Sequence, residues 1–97
     1  MMMTLAELEK RMKKLKDWAL EGSMIVKDNV FKNFKDALDY VNKVGELAEK
    51  QVHHPDIMIM YNHVRLSLTT HSEKGLTEKD FDLAEEIDKI QLEPEKK

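Results

Sequence analysis

The chain has 97 residues, 16 Lys+Arg against 19 Asp+Glu, a formal net charge of −3, 41% apolar residues and no cysteine. This balance fits a single globular domain over residues 1–97, with no bulk attraction to nucleic acid or to an anionic membrane surface. The missing thiols exclude a disulfide framework, a thiolate metal site and a cysteine nucleophile, and no apolar run reaches the roughly 18 residues of a membrane span.

Thr4-Leu5-Ala6-Glu7 has the spacing of a capping box. Leu5, Leu8, Met12 and Leu15 follow at helical intervals and predict a first amphipathic helix to about residue 16. This charged start lacks the apolar core of a secretory signal, so a cytoplasmic location is expected. Trp18 reads as a core anchor between helix and sheet. After Gly22-Ser23, the runs Met24-Ile25-Val26-Lys27 and Val30-Phe31-Lys32 are β-prone, and Asp28-Asn29 between them suits a two-residue hairpin turn.

Asn33 is placed as an N-cap with Asp36 at the third helical position. Phe34, Ala37, Leu38, Val41, Val44, Leu47 and Ala48 form one apolar face, predicting a second helix to about Gln51. Pro55 keeps His54 out of the α region and ends that helix. Ile57 to Thr70 reads as two strands joined by a tight turn near Asn62, the second ending at His71. Thr77 and Asp80 then start a last helix, with Leu76 and Phe81 placed as a hydrophobic staple. Leu83, Ala84, Ile87 and Ile90 supply its buried face. The polar residues 92–97 are expected to fray. The order α-β-β-α-β-β-α predicts an α+β fold: a four-stranded antiparallel sheet with helices on one face.

The chemistry-bearing residues are the four histidines, His53, His54, His63 and His71. Imidazole titrates near working pH, so two or three in one pocket can divide proton donation and acceptance. Adjacent histidines in a loop are more often plain surface residues, and His63 at a turn more so. Metal ligation is not expected, because neighbouring side chains on an extended backbone point opposite ways and the spacing that places two histidines on one helical face is absent. There is no Gly-rich phosphate loop and no nucleophile elbow. Lys10, Arg11, Lys13, Lys14 and Lys16, mixed with Glu7, Glu9 and Asp17, read as a solvated helix face.

Glu49, His53-His54-Pro55, Tyr61 and His71, at these spacings, resemble the signature of the pterin-4a-carbinolamine dehydratase family. The resemblance extends through Phe31-Lys32-Asn33-Phe34, Leu68-Thr69-Thr70-His71 and Gly75-Leu76-Thr77 with Asp80-Phe81, and it covers residues from about 5 to 90. It implies a hydro-lyase that dehydrates 4a-hydroxytetrahydropterin to quinonoid dihydropterin in tetrahydrobiopterin recycling. It also implies His53, His54 and His71 as the catalytic set, with His54 and His71 moving protons and His53 near the hydroxylated position. Glu49, Pro55, Ile57, Tyr61, Thr70 and Asp80 are implied to bind substrate or shape the site. For Asp80 the helix cap alone is an equally good reading. The pterin is the substrate, and no metal or organic cofactor is implied.

Family members form homodimers or homotetramers, and some animal relatives bind a transcription factor as dimerisation cofactors. A role around molybdopterin metabolism is a further alternative. This chain departs from the animal branch at Ile57, usually aromatic there, at Val52, usually acidic, and at Lys79, where Arg is common.

Overall fold

The computed structural model describes residues 3–91. Helix α1 spans Leu5–Met12 and opens on the capping box of Thr4 and Glu7. Strands β1 (Trp18–Glu21) and β2 (Met24–Val30) follow, then helix α2 (Phe34–Gln51), capped by Asn33, whose side chain accepts from the Asp36 amide. Strands β3 (Asp56–Met60) and β4 (His63–Leu68) form the second hairpin. A 3-10 turn at His71–Glu73 leads into helix α3 (Glu78–Ile87). The sheet is antiparallel throughout in the order β1-β2-β4-β3, so β1 and β3 are its edges. The expected element order, and the helices on one face, are what the structure shows.

The first hairpin differs from expectation. Asp28-Asn29 is not a turn but the middle of β2, which pairs along its length with β4. Asn29 is buried and donates to the Tyr40 hydroxyl at 3.1 Å, while Asp28 faces outward and accepts from Arg65 at 3.0 Å. The turn falls at Gly22-Ser23, where Gly22 takes φ +58°, a left-handed conformation open to glycine at little cost. Trp18 therefore opens a strand instead of standing alone. Helix α1 is shorter than expected, ending at Met12 with Lys13 as its cap, although Leu15 still packs on the core. Strand β4 ends at Leu68, and His71 lies beyond it in the 3-10 turn. The expected fraying of residues 92–97 lies outside the described residues.

Alternation along the strands sends Ile25, Val64, Leu66 and Leu68 to the helical side, where they meet Ala37, Val44 and Ala48 of α2 and Phe81, Leu83 and Ile87 of α3. Full burial of the Val, Leu, Ile and Phe side chains among them contributes about 1.5–3 kcal/mol each. Phe31 and Tyr40 pack with ring centroids 4.9 Å apart, tilted by 42°. Arg11 straps α1 to α3, pairing with Glu78, Asp82 and Glu85 while lying 5.5 Å from the Phe81 ring centroid. Among the described residues no helix is long and apolar enough to cross a membrane.

Candidate active site

The histidine pair is aimed by the way α2 stops. Val52 takes φ 53°, ψ 46°, the left-handed conformation. The His53 amide then bonds back to the Ala48 carbonyl at 3.1 Å and the Val52 amide to the Glu49 carbonyl at 3.3 Å. This is the hydrogen-bond pattern of a Schellman closure, a position glycine usually takes. The chain leaves the helix with His53 turned inward and His54 outward, their side chains 11% and 57% exposed. Pro55 follows at once and holds His54 extended.

His53 meets a carboxylate that the solvent does not reach. Its Nε2 lies 2.6 Å from Oδ1 of Asp80, which is fully buried in the first turn of α3. The other oxygen, Oδ2, accepts from the Thr77 amide at 2.9 Å and from the Thr70 hydroxyl at 2.8 Å. A buried carboxylate is tolerated only when such donors surround it. Asp80 is therefore both the helix cap and the partner of His53. His54 Nε2 lies 2.6 Å from Glu49 Oε2, an exposed pair whose members come from the last turn of α2 and the loop after it.

His53, His54 and His71 line one cleft of about 330 Å³, with Val52, Ser72 and Lys79 around its rim. A larger depression of about 560 Å³ between the segment after α1 and the end of α3 carries Lys14, Lys16 and Lys89 but no imidazole. The histidine cleft carries imidazole acid–base chemistry in its walls. His63 is not part of it. That ring sits on the outer face of β4, 2.9 Å from Asp28 Oδ1.

The other expected site residues divide. Thr70 lines the cleft, with its hydroxyl directed to Asp80. Glu49 touches the site through His54, and Pro55 through the loop it stiffens. Ile57 stands on edge strand β3, and Tyr61 is in the β3–β4 turn at φ 53° and 67% exposed; neither lines the cleft. Thr77 was legible as a helix cap but not as a site residue, because its contact with Thr70 links positions that only the fold brings together. Ser72 carried no signal beyond its place beside His71.

Residues 1–90 match the family model described as pterin 4 alpha carbinolamine dehydratase. Relatives provisionally named pterin-4-alpha-carbinolamine dehydratase include one from Chloroflexus aurantiacus, 51% identical over 88% of this chain and 91% of its own. Another, from Sulfolobus acidocaldarius, is 44% identical over 88% of this chain and 93% of its own. A solved structure from Brucella melitensis, titled a transcriptional coactivator/pterin dehydratase, superposes with a TM-score of 0.82 at 33% identity, covering 88% of this chain and 93% of that one. A pterin dehydratase-like protein identified as a RuBisCO assembly factor in the alpha-carboxysome shares the fold, with a TM-score of 0.64 at 19% identity over 77% of this chain and 89% of that one. With matches of this length and level, the chain belongs to the pterin-4-alpha-carbinolamine dehydratase family.

Proposed function

We propose that the chain dehydrates 4a-hydroxytetrahydropterin to the quinonoid dihydropterin, with the cleft of His53, His54 and His71 as its site. The observation that carries this reading is the convergence of three imidazoles on one cleft, one of them braced by a buried carboxylate. In the reaction the bond from carbon 4a to its hydroxyl oxygen breaks, and the oxygen leaves as water after taking a proton. The adjacent ring nitrogen gives up its proton, and its electron pair forms the new C=N bond. Nothing is oxidised or reduced overall, so the pterin is the only organic species the reading needs.

His54 and His71 exchange protons with the pterin, and His53, held on Asp80, stands at the hydroxylated carbon. Acid–base catalysis of this kind contributes about 10²–10⁴ in rate. On this reading the product is reduced by another enzyme, and the chain serves tetrahydrobiopterin recycling in the cytoplasm.

The test is stopped-flow absorbance of carbinolamine dehydration, wild type beside His54→Ala/His71→Ala. Acceleration by the wild type that the double variant loses supports the reading. No acceleration at micromolar protein sinks it.

Self-association belongs to the same reading. Edge strand β3 leaves Ile57, Met58 and Met60 exposed at 37%, 52% and 48%, and natural sheets cover or pair such edges. Pairing with a second copy gives a homodimer. Phe34 and Leu38, exposed at 45% and 37% on α2, offer a second face for a homotetramer. Light scattering that returns the mass of one chain would remove this part. A protein-binding role is the competing reading, favoured by the coactivator title of the Brucella relative. It would use the same α2 face, and specific capture of a partner without any turnover would put it first.

A further inference from the structure

We propose that Thr70 and Thr77 are positioning residues for the reaction: their hydroxyls, wired in one direction, fix Asp80 as an acceptor and thereby hold the neutral His53 ring as its Nε2–H tautomer. The inference rests on the dehydratase reading for its kinetic consequence, but not for its structural one.

Oδ2 of Asp80 receives the Thr77 amide at 2.9 Å and the Thr70 hydroxyl at 2.8 Å. The two threonine oxygens are themselves 2.8 Å apart, and by distance either could donate. A hydroxyl has one proton. Thr70 gives its proton to Asp80, so the contact between the threonines must be made by the proton of Thr77. The Thr77 oxygen in turn accepts from the Lys79 amide at 3.3 Å. The chain therefore runs from the Lys79 amide through Thr77 and Thr70 to Asp80. Reversing it would set two bare acceptors against each other at Oδ2 unless Asp80 took up a proton. Both donors on Oδ2 match a carboxylate, and with Asp80 taken as its carboxylate Oδ1 can only accept. The proton between Oδ1 and His53 Nε2, 2.6 Å apart, then belongs to the ring. Nδ1 of the neutral ring is then left without a proton, able to accept a hydrogen bond beside the hydroxylated carbon while His54 and His71 move the protons.

Helix capping does not require this much. A capping box is complete with Thr77 and Asp80 alone, and α3 has both of its bonds. Thr70 comes from a different segment, the exit of β4, where its backbone pairs with Gly75 through bonds of 3.1 and 3.3 Å. It is 4% exposed and directs its hydroxyl to a helix cap that is already made. It also directly precedes His71, so one short segment sets both the position of His71 and the protonation pattern of His53.

The experiment is a ring-nitrogen NMR titration of ¹⁵N-histidine-labelled protein, run on wild type, Thr70→Val and Thr70→Ser beside stopped-flow turnover. In the wild type, neutral His53 should be the Nε2–H tautomer. An Nδ1–H form overturns the proposal, whether or not the protein turns over. Thr70→Val should mix the two tautomers and lower kcat about tenfold or more with KM within about twofold, as loss of a hydrogen bond to a charged group allows. Thr70→Ser should restore most of the loss.

A raised KM with an unchanged tautomer would make Thr70 a substrate contact and overturn the proposal, as would a Thr70→Val protein unchanged in both. If Thr70→Val does not fold, the wild-type tautomer and the Thr70→Ser turnover decide it. A wild type without turnover but with the Nε2–H ring would sink the dehydratase reading while sustaining the wiring.

Discussion

Lys27 Nζ lies 2.6 Å from Asp88 Oδ1, joining the buried face of β2 to the end of α3. The same carboxylate accepts from the Trp18 indole at 2.9 Å and from the Lys16 amide at 2.9 Å. The ammonium stands 5.9 Å from the centroid of the Trp18 ring. Helix α3 is thus tied to the rest of the molecule at both ends by a buried carboxylate, Asp80 at its start and Asp88 at its finish.

The finishing pair should behave as a unit. The side chains are only 11% and 6% exposed, so Asp88→Leu leaves the Lys27 charge without its partner and is expected to cost about 3–5 kcal/mol. Lys27→Met/Asp88→Leu should recover part of that loss, because no lone charge remains, although the Trp18 and Lys16 donors still lack an acceptor. Denaturant unfolding followed by fluorescence of Trp18, the single tryptophan, measures both. Additive losses in the two single variants would show that the pair is not coupled.

Asp80→Asn tests the starting end at constant volume. If the amide oxygen stays with Thr77 and Thr70, its NH₂ group faces His53 Nε2 and demands an acceptor there. The ring must then move its proton to Nδ1, or the donors on the other side go unmatched. Turnover should fall about 10²-fold or more, as it does when a catalytic histidine is held in the wrong tautomer. Stability should fall by about 1–3 kcal/mol for the mismatched buried bond. Stopped-flow rates beside thermal unfolding separate the two effects, and full activity in a stable Asp80→Asn protein would remove Asp80 from the site.

The helices were legible because their starts carry local chemistry: Thr4 with Glu7, Asn33 with Asp36 and Thr77 with Asp80 are all caps in the structure. The first hairpin was not, because Asp28-Asn29 is turn-like by composition and strand-like only once Tyr40 and Arg65 arrive to bond it. In the site, the resemblance pointed to His53, His54 and His71, and the fold brings them to one cleft. What no spacing could give is which carboxylate serves which ring. His53 pairs across the fold with Asp80, whereas His54 takes the local Glu49.

Val52 gives a prediction with the opposite sign. A β-branched residue at φ 53° is strained, and at 78% exposure its side chain contributes little burial in return. Val52→Gly removes a local strain of about 1–3 kcal/mol and adds back some unfolded-state entropy. The expected net gain is about 1 kcal/mol, or about 4–8 °C in Tm for a domain of this size. Calorimetry checks it, and an unchanged or lower Tm would mean that Val52 makes a compensating contact.

Tyr40 should make the fold less stable at alkaline pH. Burial, and then the nearby Asp88 charge, push its phenol well above the ordinary 10.0, against the hydrogen bond from Asn29, which pulls it down. The folded chain therefore keeps the Tyr40 proton at pH values where the unfolded chain has released it. Above the ordinary value the unfolded state binds fewer protons, so stability falls as pH rises; below it, the contribution is fully present. In a Tyr61→Phe background Tyr40 is the only tyrosine left, and its phenolate absorbance should appear together with loss of the folded circular dichroism signal, not before it. Tyr40→Phe should lower stability at neutral pH by about 1 kcal/mol for the lost bond to Asn29 and flatten the decline at high pH. A phenolate that forms in the still-folded protein near the ordinary value would show that this ring is not held as the structure places it.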